Sequence, residues 1–434
     1  MSAMNASPGK AEGDISDTFA SLSGRKPQPL PDRFRELKLR LAAGREDAII
    51  ASWNRLLDTL RKENDLIARA GPSIIPEVRF SHLHDDLAAL KPEIKKRGVA
   101  VIRGVIPEDE ARSYKFSTEE YIRQNPRREL RRPRLRIRQP GDAQFALGPH
   151  QDGGSVERWE ETGYGRGGVY DAVFEGRWDA AAAPEGEGGY DAFDAAGRVG
   201  AVTDLYGGLG ACSMFRMFQG WLALSRTGPG EGTLQVNPLV KETGVYALLR
   251  PFFRARRGVG EVEKGRFLEA ENWEFTGGEA MGSELQGAMP GCAQEFPEGM
   301  HPHLELERTM VNVPEVRPGD YVVWHCDTIH AVDKTHAGKS DSSVLYIPVC
   351  PTTKASAEYV ARQRAAFLQG TPGPDFPGGE GESRHIGRAT EEYVKKYCEP
   401  LGVQAMGLDK LVAMEGDTPG GKAVVKQANA VLGF

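Results

Sequence analysis

The sequence predicts an α+β protein with a double-stranded β-helix core, a jelly roll of the cupin-like kind, flanked by N-terminal and C-terminal helices. Two patterns predict this fold class. Apolar residues recur at helical spacing near both ends of the chain, and amphipathic helices of this kind pack onto a larger body. The middle of the chain carries many short runs rich in β-branched residues, separated by Pro-Gly turns, which are typical of an antiparallel jelly roll or barrel.

The N-terminal part is predicted to be helical after an irregular lead-in. Residues 1–30 are rich in Ser, Gly, Ala and Asp and lack the apolar segment of a signal peptide, so we expect a disordered lead-in. Residues 31–133 are expected to form a helical segment with one core strand. The helices are predicted at 32–41, 45–70 and 108–125, with Asp32 as the N-cap of the first one, and the strand at 95–105.

Residues 134–353 are predicted to form the β-helix core. Its strands are expected at 134–138, 212–224, 232–236, 245–253, 310–316, 320–324 and 344–349. Residues 153–210 are rich in Gly and aromatic side chains and have weak periodicity, and we interpret them as an insertion that covers one mouth of the core. Residues 354–434 are predicted to form a helical extension, with helices at 356–368, 389–397 and 422–432.

Composition narrows the class of partner. The 434 residues include 55 Lys and Arg against 61 Asp and Glu, well mixed, so the chain lacks the basic field that nucleic-acid binding needs. No apolar run reaches the length of a membrane span. The five cysteines are widely spaced and form no CxxC pair, which indicates a reducing, cytoplasmic location. We therefore expect a small-molecule partner, and the sequence leaves the oligomeric state open.

One group of residues matches an iron centre. His150 and Asp152 follow a predicted strand, so period two points both side chains the same way, and Gly153 and Gly154 then allow close backbone approach. His330 follows a Pro-Gly-Asp turn and an apolar strand. Two imidazoles and one carboxylate hold a metal while leaving adjacent positions open, as in non-haem iron(II) oxygenases. These three residues are the predicted metal ligands and the catalytic centre.

The His-x-acid pattern alone is weak, because it occurs four times in this sequence. His84 lies in a polar stretch before a helix and is interpreted as a solvated surface residue. His303 follows a proline in a predicted loop and is not favoured as a ligand. Local context, rather than the pattern itself, selects His150.

A rival triad consists of His325, Asp327 and His385. It is disfavoured because His385 lies in a Gly-rich linker, and linkers place ligands poorly. His325 is interpreted as a neighbour that orients a metal ligand or lines the substrate pocket. His336 is expected at the surface.

Four segments of the chain resemble the YbiU-like family, a domain of unknown function thought to contain iron(II)- and 2-oxoglutarate-dependent oxygenases. They are 135–142 (LRIRQPGD), 147–159 (LGPHQDGGSVERW), 215–221 (FRMFQGW) and 319–332 (GDYVVWHCDTIHAV). The last segment is also similar to relatives of phytanoyl-CoA hydroxylase. The resemblance implies a double-stranded β-helix, Fe(II), and 2-oxoglutarate as co-substrate. It also implies hydroxylation or related oxidation of a small molecule, with release of succinate and CO2.

The far carboxylate of 2-oxoglutarate needs a cation, and the usual arginine shortly after the distal histidine is absent. That window offers Lys334 and Lys339 instead. Arg216 is the preferred candidate, because an arginine among so many apolar neighbours is seldom left unpaired. The alternative is a structural ion pair of Arg216 with an acid of the insertion, such as Asp204.

Three further arginines, Arg134, Arg136 and Arg138, lie on one face of their predicted strand. If that face lines the pocket, Arg138 binds the co-substrate and Arg136 an acidic substrate; if it faces outward, all three are solvated. The clustered arginines favour an anionic substrate.

Other polar and aromatic residues are expected near the pocket. Gln219 is predicted to bind the co-substrate and Trp221 to line the substrate pocket, although a core position is the alternative for this tryptophan. Trp159 is predicted to belong to a lid formed by the insertion.

The sequence is also consistent with two functions of other classes. One is a cupin-like metal-binding protein without oxygenase turnover. The other is a zinc-dependent hydrolase or isomerase that uses the same three ligands, because catalytic zinc sites also combine three protein ligands with an open position.

Overall fold

The computed structural model describes residues 13, 15–26, 28–126, 135–143, 147–181, 188–375 and 378–434. These residues form an α+β protein with two large sheets, one two-stranded hairpin, and helices before and after the sheets. Throughout the ranges given, none of the helices combines the length and the apolar character needed to cross a membrane.

The strands within these ranges are short. They are β1 (Glu77–Arg79), β2 (Val99–Arg103), β3 (Leu135–Arg138), β4 (His150–Gln151), β5 (Phe218–Ala223), β6 (Leu234–Val236), β7 (Phe253–Ala255), β8 (Trp273–Phe275), β9 (Gln294–Glu295), β10 (Val311–Asn312), β11 (Tyr321–His325), β12 (His330–Val332) and β13 (Ser342–Tyr346).

The helices lie mainly outside the strand-rich middle. They are α1 (Arg33–Ala42), α2 (Glu46–Ala70), α3 (Leu83–Arg97), α4 (Glu108–Gln124), α5 (Asp171–Phe174), α6 (Val240–Leu249), α7 (Lys264–Phe267), α8 (Leu306–Thr309), α9 (Lys354–Gln369), α10 (Glu391–Tyr397), α11 (Pro400–Ala405) and α12 (Pro419–Leu432).

The two large sheets differ in strand direction. The first has the order β1-β2-β11-β5-β13-β3, in which β1 and β2 are parallel and the other neighbours antiparallel. The second, β10-β6-β12-β4-β9, is antiparallel throughout. Both sheets keep two edge strands within the described residues, so the barrel alternative is wrong for this part of the chain.

Alternation along β5 separates two hydrophobic clusters. Trp221 and Ala223 point into the main core, whereas Leu222 packs on the opposite face, together with Ala111 of α4. The main core takes buried residues from both sheets, for example Val322 of the first and Val236 of the second. The space between the two sheets is therefore one shared interior.

The N-terminal helices cover this interior much as predicted. The ring of Trp53 in α2 is fully buried and stacks on Phe253 and Tyr246, with ring centroids 4.4 and 5.5 Å away. Asp32 occupies the predicted N-cap position of α1, but within the described residues its side chain makes no capping hydrogen bond. The strand predicted from 95 begins only at Val99, since α3 continues to Arg97.

The strand predicted at 245–253 is wrong, because most of this segment is the helix α6. This helix contacts α2, α3 and α5, and six of its ten residues are buried. A helix surrounded on several sides carries apolar residues all round, so its sequence loses the helical period and is easily mistaken for a buried strand.

The insertion and the C-terminal extension pack differently. Aromatic side chains of the insertion, among them Tyr164, Tyr170 and Trp178, are buried in the main core. The C-terminal helices instead build a small cluster of their own around Val394 and Val403. The predicted helices at 356–368, 389–397 and 422–432 correspond to α9, α10 and α12, and α11 was not predicted.

Candidate metal centre

The two histidines of the predicted triad come together through strand pairing. His330, the first residue of β12, lies directly opposite His150 of β4 in the antiparallel ladder. Their ring centroids are 4.2 Å apart, and both residues are buried. A pairing between adjacent strands of one sheet thus joins residues from the two ends of the predicted core.

Both rings are oriented by backbone carbonyl groups two residues earlier. The Nδ1 atom of His150 lies 2.6 Å from the carbonyl oxygen of Gly148, and that of His330 lies 3.0 Å from the carbonyl oxygen of Thr328. Since a carbonyl oxygen only accepts, Nδ1 must carry the proton in each ring. The other ring nitrogen, Nε2, is then the atom available to bind a metal in each ring.

Asp152 completes the cluster between the two rings. Its Oδ1 atom lies 3.5 Å from Nε2 of His150, and its Oδ2 atom 3.9 Å from Nε2 of His330. The three ligand atoms form one group that could hold a metal ion. Burial raises the pKa of Asp152, but the proximity of His150, His330 and Arg216 lowers it more. The carboxyl group is therefore ionised.

His330 is electrically neutral at ordinary pH. Burial, and next the proximity of His150, lower the pKa of His330 to about 4. Two imidazoles and one carboxylate are the donor set of the two-histidine, one-carboxylate iron sites. The residues present therefore fit a divalent metal with open positions.

The glycines that follow Asp152 have the steric role that the sequence suggested. Gly153 has a φ of +91°, and a Cβ atom on it would lie 2.9 Å from the hydroxyl of Tyr164. A Cβ atom on Gly154 would overlap the carboxylate of Glu157. The backbone after Asp152 is thus tightly enclosed by the insertion, as the Gly-Gly pair predicts.

Arg216 is a cation beside the triad. Its Nη2 atom lies 4.0 Å from Oδ2 of Asp152, and its side chain is about one quarter exposed (24%). It precedes β5 rather than lying within it. The alternative partner, Asp204, accepts a hydrogen bond from the backbone N–H of Gly208.

The first sheet places polar groups on the face that it shares with the main core. Gln219 and Trp324 lie opposite each other in the β5–β11 pair, both buried, and Oε1 of the first and Nε1 of the second lack a hydrogen-bond partner in the described structure. The Trp324 ring lies 5.4 Å from that of His330. Trp221 lies on the same face of β5 as Gln219 and is opposite Tyr346. Arg136 contacts the Tyr346 hydroxyl at 3.4 Å.

The remaining predicted pocket residues have other surroundings. Arg138 is buried and donates to the backbone carbonyls of Asp333 and Asp142, while Lys339 is exposed. Trp159 packs in the main core against Phe174 and Phe252. Arg134 lies outside the described residues.

The rival triad is wrong. His385 bonds to the hydroxyl of Tyr121 on α4, and the other group that could hold a metal consists of His325, Cys326 and Asp327 without it. That second group is a poor cation site, because the carboxylate of Asp327 already accepts from two buried arginines. Coulomb repulsion from two guanidinium groups opposes a further cation there.

His325 supports the turn that precedes His330. It is fully buried, its ring lies 4.7 Å from that of Phe193, and its Nδ1 atom accepts from the backbone N–H of Asp327. This placement is consistent with the interpretation of His325 as a residue that orients a metal ligand, here through the backbone of the turn.

The other histidines are accounted for by packing. His84 is exposed, as expected, and His303 packs against Trp53 and Trp273 in the core. The surface prediction for His336 is wrong: the residue is buried, and its Nε2 atom bonds to the carbonyl oxygen of Ser340. A tight turn before β13 encloses the ring.

Sequence reasoning missed the two arginines that hold Asp327. Arg158 and Arg198 belong to the predicted insertion, where weak periodicity gives no sign of an inward-facing charge. The indole N–H of Trp324 was also missed as a hydrogen-bond donor, because the sequence shows Trp324 only as another apolar residue of β11.

An α+β fold with an open two-histidine, one-carboxylate cluster defines a candidate metalloprotein, and comparison places it in a family. The Gig2-like family profile matches residues 28–133 and 132–408, so the chain belongs to the Gig2-like family. It is 32% identical over 276 residues, 64% of its length, to the uncharacterized protein YbiU of Escherichia coli K12. The aligned part spans 56% of that relative's length.

Solved structures agree with this placement. The chain is similar to the GlcNAc-inducible gene 2 protein of Candida albicans, with 28% identity and a TM-score of 0.76, covering 94% of this chain and 96% of that one. It is also similar to a protein of Salmonella typhimurium LT2 that is provisionally named an oxidoreductase. There the identity is 25% and the TM-score 0.67, covering 88% of this chain and 99% of that one.

Proposed function

We propose that the protein is an iron(II)- and 2-oxoglutarate-dependent dioxygenase that hydroxylates or oxidises a small molecule. The observation that carries this proposal is the triad itself: two buried, backbone-oriented imidazoles and an ionised carboxylate whose ligand atoms lie in one cluster. The oxidoreductase name of the Salmonella relative is consistent with it.

The order of strands supports a double-stranded β-helix as the scaffold. Along the chain, β3, β5, β11 and β13 belong to the first sheet, whereas β4, β6, β9, β10 and β12 belong to the second. Apart from β9 and β10, which lie in the same sheet, the core strands from β3 to β6 and from β10 to β13 cross from one sheet to the other, as in a jelly roll. Ligands on the second sheet then face polar groups on the first.

Three groups beside the triad suit 2-oxoglutarate, which is dianionic. Arg216 supplies a positive charge that only one carboxylate, that of Asp152, approaches in the ion pairs of the described residues. Among the described residues, the buried N–H of Trp324 has no hydrogen-bond partner, and Gln219 offers a buried amide group. A buried polar group without a hydrogen-bond partner destabilises a protein unless a ligand supplies that partner. We assign these three residues to the co-substrate.

The chain's own residues then have separable tasks. His150, Asp152 and His330 would hold the metal, and Arg136 and Trp221 would contact the substrate on the inner face of β3 and β5. Bound at the triad, iron(II) with 2-oxoglutarate supplies oxidation of a C–H bond by dioxygen, with release of succinate and CO2. The cation Arg136 favours an anionic substrate.

Anaerobic titration with iron(II) followed by 2-oxoglutarate tests the proposal. We expect a visible metal-to-ligand charge-transfer band, and succinate formation once oxygen is admitted. Metal binding without the band and without succinate would contradict the oxygenase assignment and leave a metal-binding protein without turnover. Hydrolysis or isomerisation supported by zinc would favour the zinc enzyme instead.

Two histidine variants make the same titration specific to the triad. His330→Ala should abolish metal binding, because it removes a ligand. His325→Ala is the matched control: it is equally buried, five residues earlier, and bonds to backbone instead of the triad, so most of the binding should remain. Equal loss in both variants would mean that the triad is wrongly assigned or that both histidines contribute to it.

A further inference from the structure

A buried ion-pair cluster lies beside the metal centre and belongs to none of its ligands. Asp327 accepts from Nη1 of Arg158 at 2.7 Å through Oδ1, and from Nη2 of Arg198 at 2.6 Å through Oδ2. Asp327 and Arg198 are almost completely buried, with 2% and 0% of their surface exposed. Arg198 also donates to the hydroxyl of Tyr190. The insertion is thus attached to the turn between β11 and β12 by two charged contacts.

The electrostatics of this cluster make Asp327 indispensable to it. Two guanidinium groups share one carboxylate, and no other acid in the described residues forms an ion pair with either arginine. Removing the carboxylate charge would leave two buried positive charges facing each other, which is far more unfavourable than the loss of a surface pair. The turn between β11 and β12 cannot relax without exposing or separating these two arginines.

The same turn is bound to both ligand-bearing segments. The backbone oxygen of Asp327 accepts from Nε2 of Gln151, the residue between His150 and Asp152. The next residue, Thr328, accepts from Nδ1 of His330 through its carbonyl oxygen and donates through its hydroxyl to Gly98. The turn therefore sets the position of β4 relative to β12 and the orientation of the His330 ring.

We propose that Asp327 is a positioning residue for the metal centre, acting through the Arg158–Asp327–Arg198 cluster on Gln151 and Thr328. This inference rests on the proposed metal centre. Residues that hold a metal ligand in place without touching the metal commonly change metal affinity by roughly 10- to 100-fold when they are mutated.

Asp327→Asn tests this role, with cobalt(II) alone as the probe. We expect the dissociation constant for cobalt(II) to rise by roughly 10- to 100-fold and the visible d–d bands to change, because the ring of His330 is no longer held in place. Both are measured well below the unfolding temperature of the variant, so that lower stability alone does not affect them.

Asp320→Asn is the matched control. Asp320 is also buried, lies at the other end of β11, and pairs with Arg103 at 2.7 Å while accepting from the backbone N–H of Gly104. Its loss should lower stability and leave cobalt(II) affinity and spectrum within about threefold of the wild type, a range that corresponds to less than 1 kcal/mol.

The outcomes separate this inference from the proposed function. Failure of the wild-type protein to bind cobalt(II) would overturn both. Tight wild-type binding with unchanged affinity and spectrum in Asp327→Asn would overturn only the positioning role. If that variant does not fold, Gln151→Leu decides: it removes one amide donor and keeps the ion pairs. A roughly tenfold loss of affinity supports the role, and no loss overturns it.

Discussion

Two histidine side chains with similar environments illustrate how much the backbone contributes to this centre. In each case the carbonyl group two residues earlier accepts the Nδ1 proton, so the tautomer and the ring plane are set within a three-residue segment. Because this support is local, a predicted strand, a His-x-Asp pattern and the glycines that follow it could single out His150 and Asp152 as candidate ligands. His330 needed only the preceding turn and strand.

The two arginines that bind Asp327, in contrast, are distant from it in the sequence. Arg158 and Arg198 lie 169 and 129 residues away along the chain. A charge pattern in one sequence gives no information on pairing over such distances, so neither arginine could be predicted as its partner.

Glu157 carries a testable pH dependence at the scale of one residue. The side chain is 1% exposed, and burial, with the charge of Asp204 adding to it, raises its pKa from 4.5 to about 7. Between these values the unfolded carboxyl group is ionised while the folded one keeps its proton. The folded state is therefore destabilised progressively as the pH rises through this window.

Glu157→Gln removes this titration. At pH 8 we expect the variant to be more stable than the wild type by up to about 3 kcal/mol, and the difference to vanish near roughly pH 4. Urea unfolding at both pH values measures it. The exposed Glu161→Gln should change stability by less than about 0.5 kcal/mol at either pH. If the stability gained by Glu157→Gln over the wild type is no larger at pH 8 than at pH 4, Glu157 is ionised in the folded protein.

At the scale of elements, length determined which predictions succeeded. The long amphipathic helices α2 and α9 were predicted within about two residues of their observed bounds, because apolar periodicity persists over many turns. The helix α6 was taken for a strand, since burial on several sides removes its periodicity. Strands such as β4 and β9 have only two residues each, and a pattern of period two cannot reveal so short an element.

The turn after β4 is the element most sensitive to substitution. Gly153→Ala forces a φ of +91° on an alanine and brings its Cβ atom against Tyr164. We expect a loss of about 1–3 kcal/mol in unfolding free energy, together with weaker metal binding because Asp152 is displaced. Chemical denaturation and cobalt(II) titration measure the two effects.

Gly148→Ala is the comparison for this turn. Gly148 precedes β4 in the same segment, no atom of the described residues lies within 4 Å of an added Cβ atom, and its φ is not in the left-handed region. Its carbonyl group stays available to His150, so stability and metal affinity should both be nearly unchanged. Equal effects from both alanines would exclude backbone geometry as the cause.

At the scale of the whole molecule, the predicted lid is part of the core. The aromatic residues of the insertion are buried with those of both sheets, and the insertion is tied to the turn before His330. The α+β class and the flanking helices followed from the sequence, because they depend on local patterns. The anchoring of the insertion depends on contacts between distant segments and could not be predicted.

Metal binding should stabilise the entire protein. A ligand that binds only the folded state at a free concentration one hundred times its dissociation constant adds about 2.7 kcal/mol. Cobalt(II) at that concentration should therefore raise the unfolding midpoint of the wild type, and a chelator should return it to the starting value. His330→Ala under the same conditions should show no rise; an equal rise would mean that the metal acts elsewhere.

The pairing of His150 with His330 also has a consequence during synthesis. A nascent chain that has passed Asp152 holds two of the three ligands, but the opposing strand has not yet left the ribosome. Contacts between segments so distant in the sequence form late and slowly, because long loops must close first. Chains that end before His330 consequently lack one of the three proposed ligands, and metal binding would distinguish finished molecules from unfinished ones.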